Sequence, residues 1–279
     1  MENSPPILVR LLPRRSASRL MGWLGRRRWP AFALQRFLRW YSARYGVKEE
    51  DLTQPLEAYE TFLDFFTRPL RPDARPIPAD PSLIISPCDG KVSNCGRIEA
   101  GLLLQIKNVW YSASDLLGCP AAAADLDGGS YITLYLAPGD YHRYHWPFDG
   151  TVHTVRHLPG DLWPVNERSV DSVRGLFAIN ERVAVLGHMT NGAPFAYVAV
   201  GALNVGSIKL AFRDVYTNQC CKRTTPLADN LQVRGKRGDE FGLFEFGSTV
   251  VLLIGKTGGD LTHWPPRTPF RMGDPIGHL

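Results

Sequence analysis

Three short segments of the sequence supply side chains that could work together in acyl-transfer chemistry. ISPCDGKV contains an acid, PGDYHRYHWP contains two histidines, and FEFGSTVV contains a serine after a glycine; the residues are Asp89, His142, His145 and Ser248. In a triad of these types the acid orients the imidazole, and the imidazole takes the proton of the serine hydroxyl. The members are distant in sequence, so only the fold can bring them together.

Each segment also has a structural explanation. Gly-Ser-Thr before an apolar run is typical of a turn or bulge, and Asp-Gly is typical of a tight turn. Histidines can bind metals, and four of them lie close in sequence: His142, His145, His153 and His157. Carboxylate or cysteine partners at the tight spacing of a zinc site are missing, so we predict no metal site.

The composition is that of an ordinary globular protein, but the charge is unevenly distributed. The 279 residues are 44% hydrophobic and 21% charged, with a formal net charge of +5. Residues 1–46 hold ten arginines and one acidic residue, Glu2, so they carry +9 and the remaining residues must sum to −4. The basic character therefore belongs to the N-terminal segment.

Cysteine usage and hydropathy bound the environment of the chain. The cysteines are odd in number and show no C-x-x-C spacing, which favours a reduced compartment over a disulfide framework. They are Cys88, Cys95, Cys119, Cys220 and Cys221. No run approaches the roughly 18 apolar residues that a spanning helix needs, so we predict a chain that does not cross a membrane by itself.

The N-terminal segment has the composition of a helix at a membrane surface. Apolar side chains recur with helical spacing over residues 31–45: Leu34, Phe37, Leu38, Tyr41 and Tyr45. Arginines flank this stripe and tryptophans lie near it: Arg36, Arg39, Arg44, Trp23, Trp29 and Trp40. The pattern predicts an amphipathic helix on an anionic bilayer, where each basic residue contributes on the order of 1 kcal/mol.

Other interpretations of this segment stay open. An apolar stripe can simply pack on the core of the protein, and an Arg-rich, acid-poor N-terminus is also typical of an organelle transit peptide. Arginines can contact nucleic acid as well. The body of the chain is slightly acidic and carries no recognisable nucleic-acid motif, so we predict no nucleic-acid partner.

The rest of the chain is predicted to be mostly β. A helix is indicated over Ala58–Phe66, followed by a Pro-rich connector over residues 68–78. Short apolar or alternating runs then predict strands at Ser130–Ala137, Arg182–Leu186, Phe195–Val200, Gly206–Phe212 and Thr249–Ile254. We predict an α+β fold in which a helical, basic segment, residues 1–72, precedes a β-rich catalytic domain, residues 73–279.

The three segments occur together, and in this order, in a known family. SPCDGKV, DYHRYH with the following Pro147, and FGST resemble the motif set of phosphatidylserine decarboxylase proenzymes. QIKNVWYSASDLLG, PVNERSVDSVRGLFAINERV, VGALNVGSI and GDEFG are similar to that family as well. The likeness covers roughly residues 8–256 and extends to the basic N-terminus of the bacterial, membrane-associated members.

The resemblance implies that the chain makes its own cofactor. The Ser248 hydroxyl would attack the carbonyl of Gly247, and glycine suits this position because it has no Cβ to hinder the approach. Cleavage would give a β chain of residues 1–247 and an α chain of residues 248–279, with Ser248 converted to a covalent pyruvoyl group. The pyruvoyl carbonyl would form a Schiff base with the substrate amine and withdraw electrons as CO2 departs.

The resemblance also assigns roles to the remaining site residues. His145 is expected to be the general base of the cleavage, with Asp89 orienting it and stabilising its cation. His142 is expected to assist decarboxylation and protonation. Phe246 stands where the family usually has leucine, an apolar exchange that should leave the chemistry unchanged, and Cys88 stands where alanine is common.

The partners follow from the same resemblance. The substrate would be phosphatidylserine and the product phosphatidylethanolamine, formed on the cytoplasmic face of the cell membrane by a peripheral enzyme, and a homodimer is suggested. Two other functions stay open, a pyruvoyl decarboxylase of another amine and a metal-dependent hydrolase built on the histidines. The tail from Thr257 runs past the likeness and has no functional explanation.

Overall fold

The N-terminal third of the molecule contains its longest helices. The computed structural model describes residues 13–106, 109–203, 207–215, 217–218 and 225–279. Residues 1–12, Cys220 and Cys221 lie outside these ranges. Among the described residues no helix combines the length and the apolar character that crossing a bilayer requires.

The helices of this part only partly match the sequence prediction. Helix α1 spans Arg14–Gly25 and α2 spans Ala31–Tyr45, the latter with the predicted bounds. The helix predicted over Ala58–Phe66 is wrong in its first half: 3-10 turns cover Glu49–Asp51 and Leu56–Ala58, and α3 spans Phe62–Phe66. The reason is local, because the Thr61 hydroxyl accepts the Asp64 N–H at 3.1 Å and so begins the helix there.

The remaining elements are four short helices and seventeen strands within the described part of the chain. The helices are α4 Ala113–Leu117, α5 Pro120–Asp125, α6 Glu167–Ser172 and α7 Leu176–Ile179. The strands are β1 Leu83–Ile85, β2 Gly90–Arg97, β3 Leu102–Ile106, β4 Val109–Ser112, β5 Ser130–Leu136, β6 Arg143–His145, β7 Gly150–Leu158, β8 Arg182–Met189, β9 Pro194–Gly201, β10 Ser207–Leu210, β11 Thr225–Ala228, β12 Val233–Gly235, β13 Glu240–Glu245, β14 Ser248–Ile254, β15 Asp260–Leu261, β16 Pro269–Phe270 and β17 Pro275–His278.

A large antiparallel sheet forms the centre of the structure. Its strands lie in the order β11, β7, β8, β9, β14, β5, β2, β16, with β12 beside β7, and β10, β13 and β6 form a separate small sheet. The five strands predicted from the sequence are present as β5, β8, β9, β10 and β14, with ends shifted by at most three residues. The predicted α+β class with a β-rich core is confirmed.

Strand β14 lies in the middle of the sheet, and its two faces contact different hydrophobic clusters. Val250, Leu252 and Ile254 belong to one cluster, whereas Val251 and Leu253 belong to the other. Successive side chains on a strand point to opposite faces, so a continuous apolar run is the expected sequence of a strand that is covered on both sides.

A third cluster joins the helices to the rest of the protein, and it changes the interpretation of the N-terminal stripe. Leu34, Leu38 and Tyr41 of α2 are buried here against α3 and Phe246. The apolar stripe predicted to lie in a bilayer therefore packs mainly on the protein itself. The alternative interpretation, that the stripe packs on the core of the protein, is correct for this face. An apolar stripe can be removed from water by contact with the protein or by contact with lipid.

The opposite surface of the helices carries exposed aromatic and apolar side chains. Phe32 is 77% exposed, Trp40 56% and Trp23 50%. Leu20 and Met21 of α1 are exposed as well. Large apolar side chains concentrated on two helices of one region are typical of an interaction surface.

The two faces of α2 should respond differently to truncation. We expect Leu38→Ala to destabilise the protein by about 2–5 kcal/mol, because it removes a fully buried side chain from the third cluster. Phe32→Ser should change the free energy of unfolding by no more than about 0.5 kcal/mol. Urea unfolding of both variants, made in the Ser248→Ala background to keep one chain, measures this; equal losses would contradict the packing of α2.

Candidate active site

The large sheet brings Asp89 and Ser248 to the same edge, which is the one formed by the strand ends where β2 and β14 begin. Ser248 is the first residue of β14 and pairs with the last residues of β5 and β9. Strand β2 lies on the other side of β5 and begins at Gly90. A Cβ at Gly90 would lie only 2.5 Å from the carbonyl oxygen of Tyr135 in β5. Glycine permits this close approach, so the Asp-Gly step of the sequence places Asp89 two strands away from Ser248.

The histidines reach this edge from the small sheet. His142 follows the loop after β5, and His145 ends β6, where it pairs with Glu240 of β13. The Phe244 N–H donates to the His142 carbonyl oxygen at 2.9 Å. Because β13 leads directly into the Gly247–Ser248 peptide, both histidines are attached to the segment that precedes it.

Asp89 is held by an arginine that the sequence analysis did not single out. The Arg75 Nε donates to Oδ1 at 2.8 Å and Nη2 donates to Oδ2 at 2.5 Å. The Met272 N–H also donates to Oδ1, at 2.9 Å. Arg75 additionally binds Asp51 at 2.9 Å, which ties the helical segment to the site. A bidentate arginine fixes a carboxylate in both position and rotation.

The predicted hydrogen bond between Asp89 and His145 is absent from the structure, because Arg75 occupies the carboxylate and other groups hold the ring. His145 Nδ1 lies 2.9 Å from the carbonyl oxygen of Gly238, and Nε2 lies 3.1 Å from the Tyr141 hydroxyl. A carbonyl only accepts, so Nδ1–H donates and the Tyr141 hydroxyl donates to Nε2. The basic nitrogen of His145 is therefore Nε2.

Charge acts on His145 without direct contact. Burial lowers the pKa of His145 below its ordinary value, and the charge of Arg143 acts in the same direction. The hydrogen bond to Gly238 and the carboxylates of Glu240 and Asp89 oppose this shift. Both carboxylates favour the cationic form that arises when the imidazole takes a proton. Asp89 is thus placed to act on the cation through space, whereas it makes no hydrogen bond that would orient the ring.

His142 has a different environment. It is completely buried, its Nδ1–H donates to the carbonyl oxygen of Asp140 at 2.9 Å, and its Nε2 has no hydrogen-bond partner among the described residues. Burial, helped by the charge of Arg68, lowers the pKa of His142 to about 3. The ring packs against Phe66 in a tilted arrangement, with centroids 4.0 Å apart and an interplanar angle of 39°. His142 therefore presents a neutral, unpaired nitrogen at neutral pH.

The connection between β13 and β14 is short and strained. β13 ends at Glu245 in the small sheet and β14 begins at Ser248 in the large one, so Phe246 and Gly247 alone make the crossing. Phe246 has φ +81°, a left-handed conformation that is costly for a bulky side chain. Gly247 has no positive φ, and a Cβ there would meet nothing within 4 Å.

The strained conformation thus lies at Phe246, one residue before the scissile peptide begins. We expected glycine to leave the approach to its carbonyl unhindered, and the structure shows open space beside Gly247. Open space beside a carbonyl is itself useful, because a nucleophile must approach it from above the peptide plane.

The C-terminal tail contributes to the structure of the site, which the sequence did not predict. Phe270 of β16 pairs with Gly90, and Met272 is one of the donors to Asp89. β17 pairs with β1, which leads into the Asp-Gly segment. The signal in the sequence is weak, because the apolar residues of these two strands form runs too short to predict a strand.

A cavity of about 230 Å³ opens beside Asp89. Basic side chains on its wall are Lys48, Arg68, Arg75, Lys91 and Arg271, and acidic ones are Asp51, Asp89 and Asp140. Burial raises the pKa of Asp140. Among the described residues no three His, Cys, Asp or Glu side chains are grouped to hold a metal ion.

Comparisons with known proteins identify the family. A model of the family described as phosphatidylserine decarboxylase matches residues 62–278, which include Asp89, His142, His145 and Ser248. The chain belongs to the phosphatidylserine decarboxylase family. The matched range shows that the family's pattern also covers the C-terminal tail, which we had expected to lie outside it.

Three curated relatives illustrate the extent of the similarity. The phosphatidylserine decarboxylase proenzyme of Anaeromyxobacter sp. (strain K) is 44% identical over 276 residues, 96% of either chain. The proenzyme of Saccharophagus degradans is 38% identical over 98% of this chain and 96% of its own, and that of Bordetella petrii is 42% identical over 94% and 92%. The resemblance inferred from the motifs is confirmed.

The buried neutral state of His142 should appear in the pH dependence of stability. Between pH 6.5 and about 3 the unfolded chain carries a proton on this imidazole that the folded protein lacks. The free energy of unfolding therefore falls as pH falls through this window. We expect His142→Gln, compared with its parent in the Ser248→Ala background, to flatten that slope by up to about 1.4 kcal/mol per pH unit.

Urea titrations at pH 6, 5 and 4 measure this slope. The variant His188→Gln is a matched control, because His188 is an exposed histidine. An unchanged slope in His142→Gln would show that His142 is protonated in the folded protein.

Proposed function

We propose that this protein is the precursor of a pyruvoyl-dependent decarboxylase that converts phosphatidylserine to phosphatidylethanolamine and CO2. The observation that carries the proposal is the arrangement at one edge of the sheet, where Asp89, two buried histidines and the strained Phe246–Gly247 connection lie together. The chain is also similar over nearly its whole length to phosphatidylserine decarboxylase proenzymes.

The first reaction would be cleavage of the chain at Gly247. The Ser248 hydroxyl loses its proton to a base and its oxygen adds to the Gly247 carbonyl carbon; the amide C–N bond then breaks, leaving an ester and a free amine. Removal of the Ser248 Cα proton breaks the Cβ–O bond and leaves a carboxylate on Gly247. Water then replaces nitrogen at the former serine Cα, which releases ammonia and gives the ketone.

The charges around the two histidines support a division of labour. The base of the cleavage becomes cationic. The carboxylates of Glu240 and Asp89 favour a cation at His145, whereas the Arg143 guanidinium, which is paired with Glu240, opposes it. His142 lies near the Arg68 guanidinium, which opposes a positive charge. We therefore assign proton abstraction in the cleavage to His145, and positioning or proton transfer at the substrate to His142, whose Nε2 is unpaired.

The residues at the edge of the sheet fit a covalent pyruvoyl group derived from Ser248. When formed, this group supplies an electron sink for the loss of the substrate carboxylate. β14 is paired on both sides along its whole length, so the α chain would stay attached to the β chain after cleavage. The basic side chains of the cavity beside Asp89 suit the phosphate and carboxylate of a serine headgroup.

Mass spectrometry under denaturing conditions tests the cleavage. We expect purified wild-type protein to give two fragments that meet between Gly247 and Ser248, the second with a blocked N-terminus, whereas Ser248→Ala gives one intact chain. An intact wild-type chain would refute the proposal.

Two histidine variants separate the steps. His145→Ala should stay uncleaved because its base is missing, and His142→Ala should be cleaved but release CO2 from phosphatidylserine at least about 100-fold more slowly. CO2 release from phosphatidylserine and from free serine, measured side by side, also tests the substrate class. If His142→Ala blocks cleavage, or if free serine is the better substrate, the assignment of roles or of substrate is wrong.

We also propose that the helices dock the enzyme on an anionic membrane through their exposed surface. The side chains that support this are Trp23, Phe32 and Trp40, together with the exposed Arg36 and Arg44 of α2. Aromatic rings and arginines are favoured where water meets lipid. A peripheral position on the cytoplasmic face of the cell membrane and a homodimer stay predictions.

Binding to vesicles tests the docking surface. Removing residues 1–46 would also remove the buried residues of α2, so point variants are the cleaner choice. We expect Trp23→Ser with Trp40→Ser to weaken binding to phosphatidylglycerol vesicles by about tenfold or more, because two partly inserted rings are lost. Trp110→Ser, at a similarly exposed tryptophan of β4, is the matched control. Equal binding of all three proteins would contradict the proposal.

A further inference from the structure

The C-terminal end of helix α1 packs on the residue before the scissile glycine. Gly25 is the last residue of α1, and a Cβ built on it would lie 2.5 Å from Cζ and 3.1 Å from Cε2 of Phe246. Other sides of the Phe246 ring contact Phe62 and Phe66, with centroids 5.5 and 4.9 Å away. The ring is therefore enclosed, and it has little room to retreat from a larger residue at position 25.

This contact bears on the backbone as well as on the ring. Phe246 is only 5% exposed and has φ +81°. A return to negative φ would swing the ring out of the enclosure formed by Gly25, Phe62 and Phe66, and its buried area would be lost. Packing of the side chain therefore maintains the costly backbone conformation next to the Gly247 carbonyl.

A second contact holds Glu245, the residue before Phe246. Arg26 directly follows α1, and its guanidinium forms an ion pair with Glu245, whose side chain is only 2% exposed. Lys209 binds the other oxygen of Glu245 at 2.8 Å. Two consecutive residues at the end of α1 thus contact the two consecutive residues that precede Gly247.

Residue size links Gly25 to Phe246. A leucine side chain at position 246 would end well short of the Cζ atom that meets Gly25. The longer ring requires the absence of a side chain at position 25, so the two residues form a matched pair in this protein.

We propose that the end of helix α1, through Gly25 and Arg26, is a clamp that positions the Phe246–Gly247–Ser248 segment for self-cleavage. The proposal rests on the self-cleavage proposed above. Gly25 and Arg26 act through Phe246 and Glu245 and are positioning residues. The same helix carries exposed Trp23, so the clamp connects the surface proposed to dock on lipid with the bond that is broken.

A double-mutant cycle tests the clamp. The cleavage rate of full-length chains is followed by pulse-labelled cell-free translation and denaturing gels. We expect Gly25→Ala to slow cleavage by about tenfold or more, since displacement on the order of 1 Å at a reacting centre costs up to about 100-fold. In the Phe246→Leu background the same Gly25→Ala change should alter the rate by less than about twofold, because the clash is gone.

Controls separate positioning from a loss of folding. Ser16→Ala places alanine on the exposed side of α1 and should leave the rate unchanged. Thermal unfolding of Gly25→Ala in the Ser248→Ala background reports whether the protein still folds. If it does not, Arg26→Met carries the test: it should slow cleavage by about threefold or more, whereas Arg27→Met, at the neighbouring exposed arginine, should not.

The outcomes are distinct from those that test the proposed function. A wild-type chain that stays intact would refute self-cleavage itself. A wild-type chain that is cleaved, with Gly25→Ala cleaved equally fast or slowed equally in both backgrounds, would overturn the clamp and leave self-cleavage standing.

Discussion

The pairing of β14 with strands on both sides is the constraint on which the rest of the site depends. It fixes the backbone of Ser248 at the edge of the large sheet, while Glu245 remains bound in the small sheet. Two residues must cover the distance between the sheets, and Phe246 takes a left-handed conformation to do so. The two sheets maintain this strained conformation, because the packed and hydrogen-bonded residues on either side of it cannot move to relieve it.

Burial sets the chemistry of the two histidines, and the surrounding charges make them different. Both imidazoles are nearly inaccessible to solvent, which favours their neutral, basic form. The Arg68 guanidinium lies near His142, whereas His145 has the carboxylates of Glu240 and Asp89 nearby as well as the Arg143 guanidinium, so a proton is more readily accepted by His145. Asp89 contributes through space, and its position is maintained by Arg75, which also binds Asp51 beside the helices.

The N-terminal helices belong to the site as much as to the surface. Phe62 and Phe66 connect α2 with Phe246, and the ring of Phe66 lies on His142. The segment that we predicted from composition to be a separate membrane-association region therefore supplies part of the wall around the scissile segment. One helix face packs on the protein and the other exposes tryptophans, a division that a single amphipathic stripe in the sequence does not reveal.

The sequence by itself determined the types of chemistry and part of the local structure. The Asp-Gly turn, the bounds of α2, the apolar run of β14 and the order of Asp89, His142, His145 and Ser248 all follow from short-range patterns, and the family follows from the motifs. The tertiary structure alone decided which groups touch. Arg75 rather than His145 binds Asp89, and Phe246 takes a left-handed conformation beside the scissile glycine. Both depend on residues far apart in the chain, on burial and on competition between partners.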